Sequence, residues 1–132
     1  DGLIEMFDKI FKINLKSNLV IIEYAKTLNK KVNIVLFSSS SSTKGRENLT
    51  LYSATKAGIN SIVESLAERL SKFGIYINAI IPEKINTPMI NKLHNGNVVQ
   101  RELLDVDDIM DAVIYYSISD VFGELAHIRR GL

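Results

Sequence analysis

The sequence contains no cysteine and only two histidines, His94 and His127. The absence of cysteine excludes disulfide bonds and thiolate metal ligands, and two histidines so far apart in the chain do not indicate a local zinc site. No metal cofactor is therefore expected. Charge of one sign is also missing, since sixteen basic and fifteen acidic residues leave a net charge of +1 at pH 7. This balance gives no electrostatic reason to expect nucleic acid or an anionic membrane as a partner.

Long hydrophobic runs are absent as well. No segment reaches the roughly 18 uninterrupted apolar residues of a membrane-spanning helix, and the first residues lack the basic and then apolar order of a signal peptide. We therefore expect a cytoplasmic protein without a membrane partner. A length of 132 residues, of which 46% are hydrophobic, is typical of one globular unit, so residues 1–132 should form a single domain. The sequence does not begin with methionine, which suggests a piece of a longer chain.

The spacing of apolar residues predicts helices that alternate with short strands. Apolar residues recur at intervals of three and four over residues 3 to about 29, about 50 to 73 and 105 to 117, which predicts helices, the second capped by Gly74. Runs rich in β-branched residues predict strands at 32–37, 75–81 and 125–128. A loop from about 83 to 88 leads into a weakly patterned segment that ends near Gly96. Strand, helix and strand in succession form a parallel unit, so the predicted fold class is α/β with a parallel sheet.

Five consecutive serines at 38–42 follow the first predicted strand. The run is too short to separate two domains, and it lies between a strand and a helix. In open α/β sheets ligands bind in the loops at the carboxyl ends of the strands. The hydroxyl groups of this serine loop are therefore candidates for a site.

Tyr52 and Lys56 are four residues apart at the start of the second predicted helix, which places their side chains on one face. A fixed cation beside a phenol stabilises the phenolate and so eases proton exchange between a tyrosine and a substrate. A surface tyrosine above a solvated lysine has the same spacing, so the pattern alone leaves both interpretations open. Asn14 presents a similar choice, because an amide amid apolar helix residues needs either a structural partner or a chemical task.

The order of these features along the chain is more specific than any one of them. Asn14, the serine loop, the segment Tyr-Ser-Ala-Thr-Lys at 52–56 and the segment Ile-Asn-Ala-Ile-Ile-Pro at 77–82 follow one another. This order resembles the short-chain dehydrogenase/reductase family, in which a serine lies thirteen residues before the tyrosine, and Ser39 occupies that position here. Gly45 matches a glycine that is common later in the same loop, and the resemblance covers nearly the whole chain.

The resemblance implies an NAD(P)-dependent oxidoreductase that transfers hydride between a carbonyl and an alcohol. Tyr52 would donate its proton to the carbonyl oxygen of a small-molecule substrate, and Ser39 would hydrogen-bond the same oxygen. Lys56 would hold the ribose hydroxyls of the cofactor beside Tyr52 and ease the ionisation of its phenol. Asn14 would hold a water in the proton path and complete the catalytic set.

Residues 82–87 resemble the family's loop at the nicotinamide carboxamide, where Pro82, Ile85 and Thr87 would contact the cofactor. The family's usual glycine after the proline is replaced here by Glu83, which would narrow or charge the cofactor pocket. The implied cofactor is NADP or NAD, and the resemblance favours NADP.

Glu83 and the segment Ser-Thr-Lys-Gly-Arg at 42–46 are similar to the reductase module of bifunctional CDP-ribitol-forming enzymes. This similarity implies reduction of ribulose 5-phosphate to ribitol 5-phosphate, and a cytidylyltransferase fused to the reductase in the parent chain. Lys44, Arg46 and Lys84 would then pair with the substrate phosphate, although solvated loop charges would give the same sequence.

Two features of the family's amino-terminal half, the glycine-rich phosphate-binding turn and an Asn-Ala-Gly turn, do not occur in the sequence. We therefore expect a partial doubly wound, Rossmann-like sheet that lacks its amino-terminal half, and a fragment that is inactive alone. The strands at 32–37, 75–81 and 125–128 would be neighbours, with the first at an edge. The two long helices would form a dimer surface, so the chain should be a homo-oligomer.

Two other functions stay open at this point. A non-catalytic interaction or dimerisation module could keep the fold without turnover. A nucleotide-sugar epimerase or dehydratase also carries Tyr-x-x-x-Lys, but it needs a larger carboxyl-terminal substrate domain than the residues after Thr87 provide.

Overall fold

The protein is described by a computed structural model, which covers residues 2–93 and 103–130. Its helices and strands alternate along the chain. Their bounds are α1 Leu3–Phe11, a π-helical turn Lys12–Lys16, α2 Ser17–Thr27, β1 Val32–Phe37, a 3₁₀ turn Ser40–Ser42, α3 Thr50–Ser71, β2 Ile75–Pro82, α4 Pro88–Leu93, α5 Val106–Ile118 and β3 Leu125–Ile128. His94, Gly96 and the end of the weakly patterned segment lie outside the described residues.

The first predicted helix is confirmed, but it contains a wider turn. α1, the π-helical turn and α2 follow one another without a break, and Asn14 lies within the π-helical turn. The side-chain amide of Asn18 donates to the Asn14 carbonyl at 2.8 Å, a bond between a side chain and the backbone one helical turn earlier. Asn14 therefore has the structural surroundings that one of its two alternatives requires, while the chemical task stays a prediction.

The sheet is parallel, as the sequence predicts. Its strand order is β1-β2-β3, with Val32 opposite Ile75 and Ala79 opposite Leu125. Within the described residues, β1 pairs with β2 alone and is the first strand of the sheet. Its last residue, Phe37, is 46% exposed.

Helices cover both faces of the sheet, so β2 is buried on both. Ile75 and Ile77 pack against α2 and α3, while Ile80, on the opposite face, packs with Ile109 and Tyr116 of α5. Alternate residues of one strand therefore serve two separate clusters. This is the doubly wound, Rossmann-like arrangement expected from the sequence.

The helix ends differ slightly from the predicted positions. α3 ends at Ser71 rather than at residue 73, and Gly74 follows with a left-handed φ of 73° while its N–H donates to the Ser71 carbonyl at 2.9 Å. α5 begins one residue after Asp105, whose side chain forms a reciprocal capping box with Asp108. In the ranges 2–93 and 103–130, no helix is both long and apolar enough to cross a membrane.

Candidate functional site

A cavity of about 510 Å³ opens at the carboxyl ends of β1 and β2, beside the first turns of α3. This is the edge of a parallel sheet at which ligands bind. Its wall consists of Phe37, Ser38, Ser39, Ser40, Ser41, Arg46, Leu49, Tyr52, Lys56, Pro82, Glu83, Lys84, Ile85, Thr87, Met89 and Ile90. The cavity therefore brings together most of the site residues predicted from the sequence, and leaves out Asn14 and Lys44.

The serine loop owes its shape to short hydrogen bonds between hydroxyls and backbone. The Ser39 hydroxyl accepts from the backbone N–H of Ser41 at 3.2 Å and so caps the 3₁₀ turn. Ser38 is buried: its N–H donates to Ile80 O at 2.9 Å, and its hydroxyl donates to Lys56 O at 3.1 Å. These bonds tie the loop to both β2 and α3, which holds Ser39 in the wall of the cavity.

Tyr52 and Lys56 stand on one face of α3, as their spacing predicts. The Lys56 ammonium lies 5.5 Å from the centre of the Tyr52 ring and donates to the Phe37 carbonyl at 2.8 Å. Burial lowers the pKa of Lys56 from its ordinary value, because the charged form is partly removed from water. The lysine is thus held between the end of β1 and the tyrosine, and its ammonium is less firmly protonated than an exposed one.

Asn14 contacts the same helix from behind the cavity. Its amide donates to the Thr55 hydroxyl at 3.3 Å, and that hydroxyl donates to the Tyr52 carbonyl at 2.7 Å. Thr55 is fully buried, so this relay is enclosed between the π-helical turn and α3. Asn14 reaches Tyr52 through Thr55 and the backbone rather than through the cavity.

The loop after β2 is held by backbone hydrogen bonds on both sides. The Glu83 N–H donates to Ile128 O at 3.0 Å, and Leu104 exchanges hydrogen bonds of 2.8 Å with Lys84 O and Asn86 N. These bonds place Pro82, Ile85 and Thr87 in the cavity wall together. The Thr87 hydroxyl accepts from the Ile90 N–H at 3.4 Å, which leaves its own proton available to a ligand.

The basic residues proposed for phosphate divide into two groups. Arg46 and Lys84 line the cavity, and a guanidinium nitrogen of Arg46 lies 3.3 Å from the Ser40 hydroxyl. Lys44 is exposed and lies outside the cavity wall. Two cations therefore face the space in front of Ser39 and Tyr52.

Sequence reasoning missed several residues of the wall. The Phe37 carbonyl, which accepts from Lys56, is a backbone group at a strand end and carries no sequence signal. Leu49, Met89 and Ile90 supply apolar wall next to the polar groups. Their positions before α3 and within α4, beside the predicted site loops, are the signal that could have identified them.

In the described part of the chain, no group of three or more acidic or histidine side chains is placed to hold a metal ion. The polar side chains of the cavity wall are hydroxyls, cations and one carboxylate. Such a set can bind anions and hydroxyl groups and can exchange a proton through Tyr52.

Comparison with known proteins gives a family and a fold. The family model described as Enoyl-(Acyl carrier protein) reductase matches residues 3–114. The 3-oxoacyl-[acyl-carrier-protein] reductase FabG of Rickettsia felis is 29% identical over 141 residues, which cover 97% of this chain and 58% of the relative.

Two solved structures have the same fold. A putative 2-deoxy-d-gluconate 3-dehydrogenase from Agrobacterium tumefaciens with bound NADP has a TM-score of 0.80 at 21% identity, over 93% of this chain and 56% of that one. A short chain dehydrogenase from Leptospira borgpetersenii with bound NAD+ has a TM-score of 0.75 at 20% identity, over 95% and 55% of the two chains. The chain thus spans somewhat more than half the length of these proteins.

Proposed function

The chain belongs to the short-chain dehydrogenase/reductase family of oxidoreductases, and from this premise we propose that it carries the catalytic site of a nicotinamide-dependent enzyme that interconverts a carbonyl and an alcohol. The observation that carries the proposal is that Ser39, Tyr52 and Lys56 line one cavity together with the loop after β2. When bound, the nicotinamide supplies the hydride in reduction and accepts it in oxidation.

In this proposal Tyr52 is the acid in reduction and the base in oxidation. Its phenol gives a proton to the substrate carbonyl oxygen, and Ser39 donates a hydrogen bond to the same oxygen. The Ser39 hydroxyl is suited to this task because its oxygen already accepts from the Ser41 N–H, which orients its proton away from the turn. The two hydroxyls thus hold the reacting oxygen from two sides.

Lys56 has N–H groups that can bind a cofactor. An ammonium carries three N–H groups, and the hydrogen bond found for Lys56 within the described residues uses one of them, toward Phe37 O. Two remain for the ribose hydroxyls beside Tyr52. Pro82 and Ile85 offer apolar wall to a flat ring, and the Thr87 hydroxyl offers a donor to its carboxamide. These residues fit a nicotinamide nucleotide, and the resemblance favours NADP over NAD.

We assign Asn14 a positioning role in the same site. It supports Tyr52 through the Thr55 hydroxyl, and its amide could also hold a water on the path from Lys56. An Asn14→Ala change is therefore expected to lower turnover while Tyr52 and Lys56 stay in place.

Two substrate classes follow from different observations. The Rickettsia felis relative is named as a 3-oxoacyl-[acyl-carrier-protein] reductase, which favours a 3-oxoacyl thioester. Arg46 and Lys84, both in the cavity wall, favour a phosphorylated sugar such as ribulose 5-phosphate, in which case a fused cytidylyltransferase in the parent chain belongs to the same proposal. Lys44 is left out of this second assignment because it lies outside the wall.

The deciding experiment compares Tyr52→Phe with the unchanged full-length enzyme. Reduction of a 3-oxoacyl thioester and of ribulose 5-phosphate is followed by loss of nicotinamide absorbance, and cofactor affinity is measured separately. We expect at least a hundredfold loss of turnover with nearly unchanged cofactor affinity, because only the proton donor is removed.

Tyr115→Phe, which removes the hydroxyl of an exposed tyrosine on α5 outside the cavity wall, is the matched control and should keep full activity. Full turnover by Tyr52→Phe would refute the assigned mechanism. Cofactor binding without turnover of any carbonyl by the unchanged enzyme would favour a non-catalytic module instead.

A further inference from the structure

The cavity contains an uneven set of charges. Arg46, Lys56 and Lys84 are basic, and Glu83 is the single acidic residue among the described residues of its wall. A ligand that carries a positive charge in this space is therefore opposed by three cations and favoured by one carboxylate.

The backbone of Glu83 is held next to the proposed ring site, and its exposed side chain belongs to the cavity wall. It follows Pro82 directly at the end of β2, and its N–H is bonded to Ile128 O at 3.0 Å. None of the ion pairs found in residues 2–93 and 103–130 involves its carboxylate. The charge of Glu83 is thus not neutralised by a contact there and can act on whatever lies beside Pro82.

We infer that Glu83 sets the preference of the site for the oxidised form of the cofactor, an inference that rests on the proposed function. The nicotinamide ring is neutral when reduced and carries one positive charge when oxidised. A carboxylate within a few ångströms stabilises the second form and leaves the first nearly unaffected. Without Glu83, the surrounding cations Arg46, Lys56 and Lys84 would favour the reduced form.

The ratio of the two affinities isolates this effect. Both oxidation states carry the same ribose and phosphate groups, so the contacts of those groups cancel in the ratio. What remains is the interaction of the ring charge with the cavity wall. Glu83 is therefore a specificity-determining residue whose contribution is measured by binding alone, without turnover.

The experiment titrates oxidised and reduced cofactor by calorimetry into the unchanged full-length protein and into its Glu83→Gln and Glu83→Lys variants. NADP and NAD are each used as a matched oxidised and reduced pair. We expect Glu83→Gln to weaken binding of the oxidised form about tenfold relative to the reduced form, and Glu83→Lys to weaken it further, since the charge changes by one and then two units. Glu47→Gln, which neutralises an exposed carboxylate outside the cavity wall, should leave the ratio unchanged.

Each outcome has one meaning. A ratio that follows the charge at position 83, in variants whose thermal unfolding matches the parent, supports the inference. An unchanged ratio in both Glu83 variants overturns it while nicotinamide binding stands. Failure of the unchanged full-length protein to bind either form of either cofactor overturns the proposed function, and the role of Glu83 with it.

Discussion

Lys56 is a residue whose charge and burial oppose each other. Its ammonium is partly buried, and in the described residues its hydrogen bond goes to a single carbonyl, Phe37 O. Removing a charge from water costs free energy that one hydrogen bond and a nearby aromatic ring only partly offset. The lowered pKa of Lys56 expresses this cost, because it means that the fold favours the neutral amine.

A pH dependence of stability follows from the direction of that shift. The unfolded chain holds the Lys56 proton up to about pH 10.4, while the folded chain releases it at lower pH. Between the two values the unfolded state binds more protons, so the free energy of unfolding from Lys56 rises with pH. We expect Lys56→Met to be at least as stable as the parent near pH 7 and to lack this rise, as measured by urea unfolding between pH 7 and 10.

Lys72→Met is the matched control for this prediction. Lys72 follows the last turn of the same helix, α3, and its side chain is 71% exposed. Its removal should leave the pH dependence of the parent intact. A Lys56→Met variant that loses stability at pH 7, with a parental slope between pH 7 and 10, would show that the Phe37 hydrogen bond outweighs the cost of burial.

The sequence was sufficient to identify the candidate site residues that lie at a strand end or on a helix. It did not determine where a loop side chain lies or which residue a helix contacts. Ser39, Tyr52 and Lys56 meet because a strand end and two successive helix turns determine where their side chains lie. Lys44 sits in a loop, where spacing along the chain does not determine direction, and the structure places it outside the cavity. Asn14 could be placed in a helix but not opposite Thr55, because that contact depends on how two helices pack.

At the scale of elements, the π-helical turn and Gly58 together let the first helix approach α3 closely. A Cβ at Gly58 would lie 2.9 Å from both terminal methyls of Leu15, closer than carbon atoms pack. Leu15 belongs to the π-helical turn, so the widened turn is the part of the helix that meets α3. The sequence could not show this turn, since apolar residues surround Asn14 on several sides and fit a regular helix equally well.

Asn78 joins β2 to the loop before β3, and its replacement should loosen that connection. Its side chain is fully buried, donates to Val121 O at 2.8 Å and accepts from the Glu124 N–H at 3.0 Å. Asn78→Leu leaves both backbone groups without their partner, at about 1 to 3 kcal/mol each. We expect a loss of about 3 kcal/mol in the free energy of unfolding, measured by urea titration of the full-length protein.

Asn33→Leu provides the comparison on β1. Asn33 is half-buried and donates to Tyr116 O and Ser119 O at the end of α5, where water can replace it more easily. We expect a loss of about 1 kcal/mol there. Equal losses at the two positions would mean that burial of Asn78 adds nothing to its hydrogen bonds.

At the scale of the whole molecule, the neighbouring strands were predicted. The apolar surface of the first helix was predicted only in part. The resemblance implied that the three strands are neighbours, and the structure has them in the order β1-β2-β3. The apolar residues of the first helix exceed what one buried face requires, and the structure leaves many of them exposed. Exposed fractions are 87% for Ile4, 59% for Ile13, 58% for Val20 and 64% for Tyr24.

The exposed apolar side chains of the first helix favour association with another copy of the chain. Ile13, Val20 and Tyr24 are each more than half exposed, and burying them would remove apolar surface from water. We expect the full-length protein to sediment as a homo-oligomer. The double variant Ile13→Lys and Val20→Lys should shift it toward the monomer, because two charges would be buried at the contact.

The control is Lys30→Glu, a substitution of an exposed residue just beyond α2, which should leave the oligomer unchanged. Persistent association of the double variant would place the contact elsewhere on the protein, whereas a monomeric parent protein would refute the prediction.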